Sequence, residues 1–285
     1  MEQQTQLESG ARTEAKVWFI TGASRGFGRI WTEAALERGD LVAATARSVE
    51  SIKDLNGRYG DRVLTLALDV TNARQVQEAV TTAHRHFGRL DIVCNNAGYS
   101  LVGTVEEASL DEVRALYETN IIGAVSVIQA ALPLLRAQGF GHILGTSSSL
   151  GHLTQPVIGY YCSSKWAFEA IHESLAAEVA QFGIKVTLLE PGAYATEFGS
   201  PQSLRLATSI EAYDAFKSAF VARLRGLQRG NPAATAAAVL QVADAANPPL
   251  RLFLGSACLP EVRNAYATRL AGWEEWAEVS NAAQG

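Results

Sequence analysis

Seven short strand-like apolar runs punctuate the chain, at residues 16–21, 41–45, 63–68, 90–94, 142–147, 185–190 and 250–254. Between them the apolar residues recur at helical spacing. Phe27, Ile30, Trp31, Ala34 and Ala35 do so until Gly39 stops the pattern, and Val76, Val80 and Ala83 share a face of a second helix. Ser109 and Glu112 stand three apart, as in a capping box, at the start of a long helical stretch. Strands alternating with helices predict an α/β fold: a doubly wound parallel sheet of about seven strands covered on both faces.

Composition narrows this picture. With 285 residues, 48% of them hydrophobic, the chain can bury a sizeable core. Length alone allows two domains, but no linker or repeat interrupts the pattern, so one domain over residues 16–285 is expected. Residues 1–15 are polar and charged, and read as a disordered extension and not a secretory signal. No uninterrupted apolar stretch has the length of a membrane span, and a soluble cytoplasmic protein is expected. Cys94, Cys162 and Cys258 have neither disulfide nor zinc spacing, so no metal is expected. A net charge of -5 without a basic run argues against nucleic acid as a partner.

Candidate chemistry begins at Tyr161 and Lys165, four apart in Y-C-S-S-K, with Ser148 thirteen residues upstream of Tyr161. On a helix the phenol and the ammonium share a face. A fixed positive charge favours phenolate and draws the tyrosine down from its ordinary pKa of about 10 towards neutrality. Tyr160 fails the same test, because Ser164 and not a cation follows it by four. Near the N-terminus, V-W-F-I-T runs into G-A-S-R-G-F-G. Gly22, Gly26 and Gly28 would let the backbone turn tightly and approach a phosphate at a helix N-terminus. The spacing is G-x-x-x-G-x-G and not the G-x-G-x-x-G dinucleotide fingerprint.

Together, T-G-A-S-R-G-F-G at 21–28, N-N-A-G at 95–98, Asn120, Ser148, Y-x-x-x-K at 161–165 and P-G at 191–192 resemble the short-chain dehydrogenases/reductases over residues 16 to about 255. The single-domain branch, near hydroxysteroid and retinol dehydrogenases and bacterial carbonyl reductases, is the most similar. The resemblance implies a Rossmann-type sheet and a nicotinamide cofactor held by Gly22, Ser24, Arg25, Gly26, Phe27, Gly28, Arg47, Asp69, Val70, Asn96, Ala97, Gly98, Tyr161, Lys165, Pro191, Gly192 and Thr196. Asp69 matches the carboxylate that accepts from the adenine amino group, although it also suits a helix cap. Where an NAD enzyme presents an acid after the second strand, this chain has Ala46 followed by Arg47. With Arg25 in the glycine turn, two guanidinium groups favour a 2′-phosphate, so NADP(H) is expected over NAD(H).

By the same resemblance, Tyr161 exchanges the proton, Ser148 orients the substrate oxygen, Lys165 lowers the tyrosine pKa and binds ribose, and Asn120 sits at a helix break and holds a water. A lid is expected at about 196–230. Its stripe of Tyr213, Phe216, Phe220 and Leu224 would wall an apolar pocket with Leu101, Val102, Leu150, Leu153 and Val157. The substrate expected is a lipophilic ketone, aldehyde or secondary alcohol, and the assembly a homodimer or homotetramer. Two competing readings are a non-catalytic NAD(P)-sensing regulator and a nucleotide-sugar epimerase or dehydratase. Asn231 and Pro232 open a final alanine-rich helix, and Val262, Tyr266, Leu270 and Trp273 line one side of a C-terminal helix packed on the body or a partner.

Overall fold

The computed structural model describes residues 15–201 and 203–285. All but the last residue of the expected N-terminal extension, and Gln202 of the expected lid, lie outside the described residues. Among the described residues there are nine strands: β1 (Val17–Ile20), β2 (Leu41–Ala46), β3 (Val63–Ala67), β4 (Ile92–Asn95), β5 (Ser100–Val102), β6 (Gly141–Thr146), β7 (Ile184–Pro191), β8 (Leu204–Leu206) and β9 (Arg251–Leu254). The helices are α1 (Gly26–Arg38), α2 (Asp54–Tyr59), α3 (Ala73–Phe87), α4 (Leu110–Tyr117), α5 (Gly123–Gln138), α6 (Gly159–Val179), α7 (Asp214–Arg225), α8 (Thr235–Asp244), α9 (Cys258–Glu275) and α10 (Ala277–Ala282).

Seven strands form one parallel sheet in the order β3-β2-β1-β4-β6-β7-β9. These are the seven apolar runs, and the arrangement is the expected Rossmann-type fold. Successive residues of β1 serve opposite layers. Val17 and Phe19 join a core with Val76, Val80, Val127, Leu135 and Val179 from α3, α5 and α6. Trp18 and Ile20 join another with Trp31, Leu36, Val239 and Val242 from α1 and α8. Because side chains alternate across a strand, both faces must be apolar, which is why the strands read as unbroken hydrophobic runs. The strand order reverses between β1 and β4, and a crevice opens there at the carboxyl ends of the strands.

Local signals end the helices where expected. Gly39 takes φ 104° and its N–H caps α1, while Ser109 and Glu112 form a reciprocal capping box on α4. Asn72, not Asp69, caps α3, by accepting from Gln75 N. Asn231 accepts from Ala233 N ahead of Pro232. Between α4 and α5 the chain makes one π-helical turn, Glu118–Ile122, around Asn120. The continuous helical run Leu110–Gln138 corrects the expectation that nothing here reaches membrane-span length: it is long and apolar enough by composition, and half of its most apolar window is buried inside the fold.

A second, two-stranded parallel sheet, β5 with β8, escaped the sequence reading. It ties the lid segment to the residues that follow Gly98. The base of the lid is closed by Gly230 N donating to Ala193 O and Ala195 N donating to Gly230 O, at 2.9 and 3.0 Å. In α9, Cys258 and Val262 dock on the body and Arg269 Nη1 donates to His152 O at 2.9 Å, but Leu270 and Trp273 are 51% and 65% exposed.

Candidate active site

The glycine turn after β1 is shaped by its neighbours. Gly22 and Gly26 hold φ 70° and 55°, where a side chain is strained. A Cβ on Gly28 would lie 2.3 Å from Gly22 O and 2.4 Å from Asn96 Nδ2. Asn96 braces the turn, donating to Thr21 O at 2.9 Å and Gly22 O at 3.3 Å, and Thr21 Oγ1 accepts from Asn96 N and Ala97 N. Arg25, which precedes α1, makes no side-chain cap, and the first turn of the helix holds no acid. Ser24, Arg25, Gly26 and Phe27 line a cavity of about 1540 Å³. A tight backbone cradle with a positive helix end and no competing carboxylate fits a pyrophosphate.

The rest of the cofactor set converges on the same cavity: Arg47, Asp69, Val70, Asn96, Ala97, Gly98, Pro191, Gly192 and Thr196 all line it. Ala46 closes β2 and Arg47, which follows it, is exposed at the rim of the cavity. Arg25 lines the cavity and its Nε donates to Ser203 Oγ at 3.1 Å, linking the glycine turn to the lid. Asp69 Oδ1 accepts from Thr71 N and Thr71 Oγ1, which fixes its carboxylate at the cavity edge.

At the inner end, α6 presents Tyr161 and Lys165 together, both buried. Lys165 Nζ donates to Thr146 O at 2.7 Å and lies 5.8 Å from the centroid of the Tyr161 ring. All three serines after β6 line the cavity; Ser148 acts on the phenol of Tyr161, and Ser147 on the carboxyl of Glu169. Ser148 Oγ also donates to Pro191 O at 3.4 Å and accepts from Leu150 N at 3.1 Å. Tyr160 turns away and donates to Val105 O. Asn120 occupies the helix break, but its amide is engaged by protein: Oδ1 accepts from Tyr99 N, and Nδ2 donates to Tyr99 O and Ser164 Oγ. It thereby locks the π turn to the segment after Gly98 and to α6.

The expected acidity of Tyr161 is corrected. Burial pushes its phenol above the ordinary range, and the Ser148 hydrogen bond offsets this only partly. Burial also pulls Lys165 down, to about 8. Desolvating phenolate outweighs an ammonium that is held on Thr146 O and itself desolvated, so in this structure Tyr161 is a protonated donor.

The substrate wall is also corrected. Of Tyr213, Phe216 and Phe220, only Phe220 lines the cavity, joined by Val221, Leu224 and Leu227. Phe216, one turn earlier in α7, is 51% exposed. Tyr213 precedes α7 and donates to Glu106 Oε2. This contact, and Lys217 donating to Glu107 Oε1, anchor the start of the helix on the loop after β5, away from the cavity. Leu153 lies outside the lining, its carbonyl accepting from Trp166 Nε1. Leu101 is packed in a small core with Tyr99 and Leu116. Val157 is buried at φ 69°, a strained conformation for a β-branched residue, with its carbonyl accepting from Gly103 N. Val102 and Leu150 do line the cavity, and Tyr99, Ile158, Tyr194 and Phe198 line it unforeseen. The Phe198 ring lies 5.6 Å from that of Tyr161, and its place two residues after Thr196 was the available signal.

The cavity exceeds the ~300–1,000 Å³ of a typical single-ligand pocket, which leaves room for a dinucleotide and a second molecule end to end. Comparison with known proteins agrees with this geometry. A family model described as short chain dehydrogenase matches residues 16–206. Oxidoreductase BOA17 of Botryotinia fuckeliana is 43% identical over 269 residues, covering 93% of this chain and 98% of its own. The 3-ketodihydrosphingosine reductase of Bacteroides thetaiotaomicron is 33% identical over 248 residues, with coverage of 85% and 88%. Among solved structures, a short-chain dehydrogenase from Streptomyces avermitilis aligns with a TM-score of 0.88 at 38% identity, covering 94% of this chain and 99% of that one. A short chain dehydrogenase from Burkholderia cenocepacia in complex with NADP gives 0.74 at 26% identity, with coverage of 92% and 97%.

Proposed function

The chain belongs to the short-chain dehydrogenase/reductase family of oxidoreductases, and on that premise we propose that it moves hydride between NADP(H) and a lipophilic ketone, aldehyde or secondary alcohol, with Tyr161 as general acid and base. The observation that carries this reading is the meeting of Tyr161, Ser148 and Lys165 at the inner end of a cavity whose other end is the glycine turn.

When bound, the nicotinamide supplies or accepts the hydride. The chain supplies position and protons. Ser148 Oγ donates to the carbonyl oxygen and stabilises the charge that develops there. Tyr161, kept protonated by burial, gives its proton to the same oxygen, and takes it back when an alcohol is oxidised. Lys165 places a positive charge behind the phenol, where a phenolate left by proton transfer needs it. Asn120 ties the π-helical turn to α6 through Ser164 Oγ.

NADP(H) is supported by Arg47 beside Ala46 at the rim, by the absence of an acid there, and by the Burkholderia relative bound to NADP. A lipophilic substrate is supported by Leu150, Ile158, Phe198, Phe220, Leu224 and Leu227 around the inner cavity. Reduction of a ketone is the reaction named for the Bacteroides relative. The reading extends to a homodimer or homotetramer in the cytoplasm. Three buried, unpaired cysteines support a reducing compartment. Turnover of a panel of apolar ketones and aldehydes with NADPH and with NADH, followed by nicotinamide absorbance, tests the whole reading. Turnover with NADPH is expected, and inactivity across the panel with both cofactors contradicts it.

A further inference from the structure

The C-terminal helix leaves the body of the molecule with an apolar face that nothing covers among the described residues. Its root is held. Cys258 and Val262 are buried, Arg269 Nη1 donates to His152 O at 2.9 Å, the Arg269 guanidinium lies 4.7 Å from the Trp166 ring centroid, and Tyr266 Oη faces His152 Nδ1 at 3.1 Å. Beyond Leu270 this anchoring stops: every residue from Ala271 to Gly285 is exposed, although α9 runs on to Glu275 and α10 follows it. A helix in a protein takes most of its stability from an apolar face packed against a neighbour, so an arm of this kind is incomplete by itself.

Leu259, Tyr266, Leu270 and Trp273 follow one another at spacings of seven, four and three, and so share one face of α9. They are 50%, 40%, 51% and 65% exposed, respectively. Arg263 and Glu274 stand eleven residues apart, about three helical turns or 16 Å, and therefore lie on the same edge of that face, one to each side of Leu270 along the axis. Both are exposed, and neither has an ion-pair partner among the described residues.

We propose that this face pairs with the same face of a second copy of the chain, antiparallel across a two-fold axis near Thr268. Such an axis reverses the order of the residues and sets each edge of the face against itself. Arg263 then meets Glu274 of the partner subunit, Glu274 meets the partner's Arg263, and Tyr266 lies beside the partner's Leu270. Parallel pairing would set Arg263 against the partner's Arg263, and like charges oppose it. The face is self-complementary in charge as well as apolar, as an isologous contact requires. A lipid surface suits it less: residues 258–282 carry Glu261, Glu274, Glu275 and Glu278 against Arg263 and Arg269, whereas helices that lie on membranes are rich in Lys and Arg.

This inference rests on the proposed assembly of copies and names the surface that makes it; no part of its test depends on turnover. Sedimentation equilibrium of the whole protein, wild type and variant, gives the mass and the dissociation constant of the pair. Leu270→Glu should halve the wild-type mass, taking a dimer to monomers or a tetramer to dimers, while far-UV circular dichroism stays that of the folded protein. Arg263→Glu and Glu274→Arg should each raise the dissociation constant by at least about tenfold, because each sets like charges together at both symmetric points. The double variant Arg263→Glu/Glu274→Arg should return it to within a few-fold of wild type. These exposed charge variants decide the matter if Leu270→Glu does not fold. An unchanged mass in Leu270→Glu, or a double variant that associates no better than the single ones, overturns the proposal and leaves the assembly standing. A monomeric wild type overturns both. If the wild type but not Leu270→Glu sediments with phosphatidylcholine vesicles while the two share one mass, the face is a lipid surface and the proposal falls.

Discussion

Gly28→Ala puts the cofactor cradle to a quantitative test. The added Cβ would sit 2.3 Å from Gly22 O and 2.4 Å from Asn96 Nδ2. Ordinary carbon–oxygen approach begins at about 3.3 Å, so roughly 1 Å of movement is required. Neither neighbour gives way freely. Gly22 O belongs to the backbone of the turn, and Asn96 Nδ2 is already donating to Thr21 O at 2.9 Å. Overpacking of this kind costs about 1–3 kcal/mol, and relief of the strain would displace the turn's backbone N–H groups, which the proposed cofactor site needs in place. If half of that appears in binding, about 0.5–1.5 kcal/mol, NADPH affinity falls by about twofold to tenfold, since 1.4 kcal/mol is a factor of ten. Calorimetric titration with NADPH, beside a thermal melt, gives both numbers. The control is Gly57→Ala in α2, where nothing lies within 4 Å of the added Cβ and no loss of affinity is expected. A Gly28→Ala protein with unchanged melting temperature and NADPH affinity within twofold of wild type would refute the cradle.

Three further outcomes follow from the site. Ala46→Asp combined with Arg47→Ala should shift preference from NADPH towards NADH, because a carboxylate repels the 2′-phosphate and the guanidinium is gone; wild-type protein that binds both cofactors equally in the same titration would contradict this. Phe220→Ala should raise KM for bulky apolar ketones by about 1–3 kcal/mol of lost contact, more than for small ones, while Phe216→Ala should leave the ratio of kcat/KM between large and small substrates unchanged; equal effects from the two would refute the placement of α7. Light scattering at micromolar protein should give the mass of a dimer or tetramer, and a strictly monomeric mass would sink the expected assembly.

Much of the fold was legible because both faces of the sheet are covered. Strands such as β1 must be apolar throughout, and Gly39 and the Ser109–Glu112 box end or begin helices by local chemistry alone. The break at Asn120 was legible through the family resemblance, and the structure has a π-helical turn there. The orientation of α7 was not. A helical stripe shows which residues share a face but not what that face meets, and here Glu106 and Glu107, more than a hundred residues upstream, set it through Tyr213 and Lys217. The three-residue strands β5 and β8 are too short to carry a pattern. A charge cluster joins residues 152, 169, 190 and 251, which only the fold brings together. The acidity of Tyr161 was misjudged for a related reason: spacing reveals the neighbouring ammonium, whereas the burial that outweighs it is a property of the packed structure.

The account stands most directly on Tyr161→Phe, which removes the phenolic oxygen and keeps the ring against Phe198. With an apolar ketone that the wild type reduces, turnover with NADPH should fall by at least ~100-fold, the lower range for loss of a general acid, while the dissociation constant for NADPH stays within a few-fold. Turnover near that of the wild type would contradict the assignment of Tyr161 as the proton donor and, with it, the mechanism built on this site.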